Sequence, residues 1–213
     1  MTKIDHHLHT TRYSPDSSID PYELLERAVE LRLDAVVITE HDALWPADEL
    51  AELQSRSERL LVLSGVEVSA REGHFLVYGL PDLEAVQPGI HLRELLNVVD
   101  THQAAIVAAH PFRWGQEFRQ IVKDHGPVFD ALELVSNNVM PDTRQETTSL
   151  LQELPGMAAT GSSDGHQLHA IGCYYTEFEA EIRSMADFVR AVKSRRYRPR
   201  HHPSCVNVSG PVD

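Results

Sequence analysis

Short runs of aliphatic and β-branched residues alternate along the chain with longer segments in which apolar positions recur every three or four residues. The short runs predict strands over residues 3–8, 34–39, 60–68, 75–79, 104–109, 129–135, 156–160 and 170–174. The longer segments predict helices over 21–33, 46–57, 92–102, 114–124, 142–153 and 185–195. Several strand runs, such as "AVVIT" and "AAIVAA", are apolar throughout. That pattern belongs to strands covered on both faces, as in a parallel sheet. Helix starts are marked as well. Asp20 stands before Pro21 with Glu23 three positions on, and Ser184 precedes a helical series of Met185, Phe188, Val189 and Val192.

Strand–helix alternation over roughly two hundred residues leaves an open doubly wound sheet or a closed barrel. No GxGxxG or P-loop sequence follows any strand, which favours the barrel. The polar residues cluster at predicted strand ends: "HHLHT", "ITEHD" with His41, "SGVEVS" with Glu67, "IVAAHPF" with His110, "LELVSNN" with Glu133, Asn137 and Asn138, and "ATGSSDGH" with Asp164 and His166. In a parallel barrel these ends share one face, where active sites form. His74 opens its strand in "GHFLVYG", so joining that face requires an irregular or antiparallel element.

Composition then bounds the chemistry. The chain has 213 residues, enough for one domain with a sizeable core, and a formal net charge of −13 that disfavours an extended nucleic-acid surface. No apolar run has the length of a membrane span, and the opening MTKID lacks the features of a secretory signal. Cys173 and Cys205 form no CxxC pair; the expectation is two free thiols in a reducing cytoplasm, with no disulfide framework. Thirteen histidines are the outlier. Imidazoles and carboxylates gathered in one buried place need a compensating charge, and nitrogen and oxygen donors without thiolate suit Zn, Mn or Fe. On an extended strand His7 and His9 point to one face as ligands, while His6 and Leu8 point to the other, into the barrel wall. His91, His102, His125, His201 and His202 read as solvated loop residues, and His169 as either a site neighbour or a loop residue.

The motifs "DHHLHT" with a following "SPD", then "ITEHD", "GVEVS", "GHFLVYG", "AHP" and "GSSDGH", in that order, resemble those of the PHP (polymerase and histidinol phosphatase) family of metal-dependent phosphoesterases. The resemblance covers residues 3 to about 197. It implies a distorted (β/α)7 barrel over residues 1–197, followed by a C-terminal tail at 198–213, with two or three divalent metal ions. On that resemblance His7, His9, Glu67 and Asp164 hold one metal; Glu67 bridges to a second completed by His74 and His110; Asp16, His41 and His166 hold a third. Some members carry His at the position of Asp16, and Gly165 stands where Ala is common. Asp5 would orient a ligand imidazole. The implied reaction is attack on a small phosphorylated substrate, a phosphomonoester before others, by metal-bound water held by Glu67, Asp164 and His166. Arg12 and Arg113 flank ligand motifs and could pair with a phosphate or lie in surface loops. The alternatives are a phosphodiesterase or nuclease of short nucleic acid or nucleotides, a histidinol-phosphate phosphatase, a non-catalytic metal-bound module, and a C–N hydrolase with a binuclear site. No membrane partner is expected, and the oligomeric state is open.

Overall fold

A computed structural model describes residues 1–210. Nine strands alternate with six α-helices: β1 (Thr2–Asp5), α1 (Pro21–Glu30), β2 (Ala35–His41), α2 (Ala47–Ser55), β3 (Leu61–Ser69), β4 (His74–Tyr78), α3 (Leu92–Thr101), β5 (Ala105–Ala108), α4 (Phe118–His125), β6 (Ala131–Val135), α5 (Pro141–Glu153), β7 (Ala158–Gly161), β8 (Tyr174–Phe178), α6 (Met185–Ser194) and β9 (Tyr197–His201). One sheet joins all the strands in the order β7-β6-β5-β4-β3-β2-β1-β8-β9. β1, β2 and β3 run parallel, as do β5, β6 and β7. β4 runs against both of its neighbours. The sheet curls into a nearly closed barrel of the distorted (β/α)7 kind expected from the sequence.

Alternation of side chains separates an inner from an outer layer. Ile4, Val37, Tyr78 and Val107 meet Phe178, Phe188 and Val192 in one cluster, which α6 shares. The opposite faces of β2 and β3 pack Val36, Ile38 and Val62 under α1 and α2. Val66, Phe75, Ile106 and Leu132 pack under α3, α4 and α5. Asp20 caps α1 through the Tyr22 and Glu23 amides, and Ser184 caps α6 through the Asp187 amide, as their sequence positions indicate.

Closure is local. Leu8, beyond the end of β1, forms a parallel bridge with Gly165, beyond the end of β7. The His9 amide donates to the Gly165 carbonyl at 3.1 Å, and the Gly165 amide donates to the His7 carbonyl at 3.3 Å. Lower down, Thr176 of β8 spans to β7. Its Oγ1 accepts from the Gly161 amide at 2.9 Å and lies 2.8 Å from the Gly161 carbonyl. Gly161 has no room for a side chain, because a Cβ there would lie 2.8 Å from Val135 Cγ2 and 3.0 Å from Pro199 Cβ.

Three expectations are corrected. The eighth strand is Tyr174–Phe178 rather than 170–174, since residues 168–170 form a 3₁₀ turn. Residues 197–201, assigned mostly to a tail beginning at 198, form β9 on β8. β9 reads as tail because it is "YRPRH", an edge strand that tolerates Pro199 and pairs Arg198 and Arg200 with Glu177. The cysteines are not free: Cys173 and Cys205 form a disulfide, with Cα atoms 5.4 Å apart. Register explains this where spacing could not. Tyr174 pairs with His201, so the residue before β8 meets the turn after β9. The inference from free thiols to a reducing compartment therefore loses its basis. Among the described residues no helix is long and apolar enough to cross a membrane. The last three positions of the tail assigned at 198–213 lie outside the described residues.

Thr176 gives a test of closure. Replacement by isosteric valine leaves the buried Gly161 amide and the His6 Nε2, 3.1 Å from the hydroxyl, without this partner. Thr176→Val is expected to lose about 2–4 kcal/mol of unfolding free energy at one to two unsatisfied buried groups. Urea unfolding measures this, and a loss below about 0.5 kcal/mol would contradict the closure role.

Candidate metal centre

The parallel strands deliver their C-terminal ends to one rim, and antiparallel β4 delivers its N-terminal end to the same rim. His74 therefore reaches the cluster from a strand start: it pairs in register with Ser69, two residues beyond Glu67 on β3. On the other side of β3, His41 pairs with Glu67 itself.

Glu67 is fully buried, and five imidazoles surround its carboxylate. Oε2 lies 3.2 Å from both His7 Nε2 and His9 Nε2 and 3.1 Å from His41 Nδ1. Oε1 lies 3.0 Å from His74 Nδ1 and 3.1 Å from His110 Nε2. Asp164 Oδ1 closes the other side, 3.3 Å from His7 Nε2 and 3.4 Å from His9 Nε2. Three groups have donor atoms close enough to share an ion: His7, His9, Glu67 and Asp164; Glu67, His74 and His110; and His9, His41 and His166. Asp16 Oδ2 adds to the last, 3.2 Å from His41 Nε2 and 3.3 Å from His166 Nε2. All nine residues named as ligands from the sequence thus come together. His9 faces both the first and the third group, which the sequence did not indicate.

The donor atoms point to a cation. His7 Nε2, His9 Nε2, Glu67 Oε2 and Asp164 Oδ1 are buried and have no directed hydrogen-bond partner among the described residues. Four orphaned atoms of one cluster converging on one another fit a metal ion in their midst. Without a metal, protons carry the compensating charge. Burial opposes charge on His7, but Asp164, Glu133 and Glu67 prevail and raise its pKa well above the usual imidazole value. His9, also opposed by burial, is raised to about 9 by Asp164 and Glu67. Burial likewise works against the charged forms of Glu67 and Asp164, yet the nearby imidazoles hold both well below the ordinary carboxylate range.

A further layer of residues fixes the imidazoles. His7 Nδ1 faces Glu133 Oε1 at 3.0 Å, and Glu133 also accepts from the Ser162 hydroxyl at 2.5 Å and the His110 amide at 2.9 Å. His9 Nδ1 faces Ser14 Oγ at 3.3 Å, and Ser14 donates to buried Glu40 at 2.6 Å. Thr10 and Trp45 bond to Glu40 as well. Such carboxylates set the tautomer that leaves Nε2 for a metal. The sequence reading gave Glu40 and Ser14 no role, although "ITEHD" and "SPD" contain them; nothing in strand parity marks a carboxylate one residue from a ligand as a support. Asn138 Nδ2 donates to Asp164 Oδ2 at 2.7 Å, in keeping with its place at the pocket.

Two positioning expectations change. Asp5 does not orient an imidazole: it accepts from the backbone amides of Ser163 and Gly172, holding the Asp164 loop against β1. His6 stays out of the ligand set, but it does not share a face with Leu8. Its ring packs on Tyr78 and Phe188 in the inner layer, whereas Leu8 joins the outer cluster under α1. Strand β1 ends at Asp5, so alternation lapses at His6. Burial lowers the His6 pKa to about 4, which keeps the ring neutral between Tyr78 and Thr176. Of the two arginines, Arg113 Nη1 lies 3.4 Å from Asp164 Oδ2. The Arg12 guanidinium is taken by Glu49 at 2.7 Å, and among the described residues no ion pair joins it to the cluster.

Comparison with known proteins agrees with this architecture. A family model described as PHP-associated matches residues 152–197. None of the curated proteins matches significantly. Among solved structures, PsfC from Pseudomonas syringae aligns at 20% identity over 95% of this chain and 92% of its own, with a TM-score of 0.70. The lesion-specific endonuclease PfuEndoQ from Pyrococcus furiosus aligns at 17% identity over 91% of this chain and 56% of its own, with a TM-score of 0.65. A candidate metal-dependent phosphoesterase from Bifidobacterium adolescentis aligns at 18% identity over 76% of this chain and 87% of its own, with a TM-score of 0.61. At these identities the likeness to the structures is one of fold.

The raised imidazoles make metal binding a proton-releasing event. A group whose pKa is raised in the metal-free protein is protonated at pH 7 and must lose that proton to become a ligand. Calorimetric titration of metal-free protein with Mn2+ at pH 7, in buffers of different ionisation enthalpy, is expected to show release of about two protons, from His7 and His9. Affinity is expected to rise with pH through about 9, the His9 value. Absence of any buffer dependence would contradict the assignment of these two rings as ligands.

Proposed function

We propose that this chain, whose family-model match and structural neighbours support a PHP-type domain, is a metal-dependent hydrolase of phosphate esters that prefers small phosphomonoesters. The observation that carries this reading is the set of four buried, unpartnered donor atoms on His7, His9, Glu67 and Asp164, flanked by two further donor groups that share Glu67 and His9 with it. On this reading His7, His9, Glu67 and Asp164 hold one divalent ion, Glu67, His74 and His110 a second, and Asp16, His41 and His166 a third. Zn, Mn or Fe suits these nitrogen and oxygen donors. Bound there, such ions supply Lewis acidity and lower the pKa of water toward neutrality.

The protein groups account for the rest. Glu67, Asp164 and His166 hold the attacking water on the rim of the cluster. Glu133 and the Glu40–Ser14 pair keep His7 and His9 in the tautomer that presents Nε2. Arg113, three-quarters buried and beside Asp164, binds a phosphoryl oxygen as negative charge shifts to the leaving alcohol. Arg12, engaged by Glu49, is assigned no part in this.

The preference for monoesters follows from charge. A monoester carries close to two negative charges at pH 7, whereas a diester carries one. Two or three divalent ions and Arg113 outweigh the ligand carboxylates of Asp16, Glu67 and Asp164, so the more highly charged ester is favoured. The test is paired kinetics on a nucleoside monophosphate and a matched dinucleotide with the same metal, alongside elemental analysis. More than one metal per chain and a kcat/KM at least about tenfold higher for the monoester are expected, equivalent to about 1.4 kcal/mol. Glu67→Gln is expected to lose metal and activity together. Faster cleavage of the diester would replace this reading with a phosphodiesterase or nuclease. Full metal loading without turnover of either ester would favour a non-catalytic module.

A further inference from the structure

The segment after His110 sets an indole beside the cluster and leaves it in solvent. Trp114 is 75% exposed, yet its ring stands 5.7 Å from the His74 ring and 6.0 Å from the His110 ring. The same segment buries a different aromatic residue. Phe112 turns inward onto Phe118, with centroids 5.7 Å apart. A large apolar side chain kept in water next to a polar cluster departs from ordinary packing, in which such surface is removed from solvent.

The backbone is held in an unusual shape to achieve this. His110, Phe112 and Trp114 have φ values of 27°, 68° and 56°, the left-handed region that non-glycine residues rarely adopt. Strain of this kind collects where position matters to function. Gln116 ties the segment to the neighbouring turn by donating to the Glu72 carbonyl at 2.6 Å. The Arg113 guanidinium covers one face of the indole, 4.0 Å from its centroid, and reaches Asp164 from there. Three-quarters of the Trp114 side chain nonetheless remains in solvent. His74, His110, Arg113 and Trp114 line a cavity of about 220 Å³, smaller than the pockets that enclose drug-sized ligands and suited to one ring system.

We infer that Trp114 is a stacking platform for a flat aromatic group on the alcohol side of the scissile ester, so that the preferred substrates are phosphate esters bearing an aromatic ring system rather than aliphatic or sugar phosphates. The inference rests on the phosphoesterase reading above for the position of the phosphoryl group. Its other support is the indole face itself, which binds any π-system without directed hydrogen bonds.

Benzyl phosphate and cyclohexylmethyl phosphate separate the two ideas, since they match in charge, length and type of leaving alcohol and differ in aromaticity. The wild type is expected to favour the benzyl ester by about fivefold in kcat/KM, the size of an aromatic pairing beyond simple burial. Trp114→Phe should keep most of that ratio, and Trp114→Leu should bring it to about one. Calorimetric binding of benzylphosphonate against cyclohexylmethylphosphonate to the metal-loaded protein should show the same preference and the same dependence on residue 114. A ratio near one in the wild type, or a ratio unmoved in Trp114→Leu, overturns the inference while leaving the phosphoesterase reading intact. Hydrolysis of neither ester, with an aromatic preference still present in phosphonate binding, overturns the reaction and keeps the platform.

Discussion

A carboxylate with no access to solvent sits at the centre of this protein. Removing the Glu67 charge from water costs several kcal/mol unless it is matched, and the chain matches it with five imidazoles from four separate segments. Those rings cannot all be charged without repelling one another, nor all neutral without stranding the carboxylates. Protons on His7 and His9 are one solution, and divalent cations held by the same donor atoms would be another. The outer hydrogen bonds to Glu133 and through Ser14 to Glu40 fix which nitrogen His7 and His9 turn toward the cluster.

The barrel exists in the form that this cluster requires. A regular parallel barrel would put the N-terminal end of β4 at the opposite rim, away from Glu67. Reversal of β4 brings His74 to the rim that carries Glu67 and lets β3 and β4 join without a crossover helix. Closure by the Leu8–Gly165 bridge sets the backbone of His7 and His9 against the loop that carries Asp164. Asp5 holds that loop from below, and Asn138 holds the Asp164 carboxylate from the side. Asp164 itself has a φ of 48°, so the ligand is held by a backbone that neighbouring bonds must stabilise.

Around this centre the surroundings differ in regularity. Most candidate ligands lie on strand ends or within a few residues of them, and Asp16 lies in the loop between β1 and α1. Arg113 and Trp114 lie on an irregular segment between β5 and α4, tied down by Gln116 and Phe112. A donor rim on regular strands with a loop-built edge beside it is an arrangement in which one scaffold can keep its chemistry and vary its loops.

The linear order of residues determined the alternation of elements, the caps at Asp20 and Ser184, and the identity of all nine candidate ligands. The elements and caps follow from local pattern, apolar period and helix-start chemistry; acids and histidines at strand ends marked the rim, while the choice of ligands among them, and Asp16 altogether, came from the resemblance of the motifs to those of the PHP family. Other features depended on contacts between distant segments. The Cys173–Cys205 disulfide follows from the β8–β9 register and not from a spacing of 32 residues. β9 hid behind Pro199 and its arginines because an edge strand need not be apolar. His6 broke the expected alternation because β1 stops at Asp5, which only the packing of Tyr78, Phe188 and Thr176 around the ring makes visible. The sequence by itself determined which chemical groups this protein owns and roughly which rim they reach. The tertiary structure alone decided which of them come close enough to share an ion, which hold another in place and which face solvent, because these relations are distances of 3–4 Å between residues far apart along the chain.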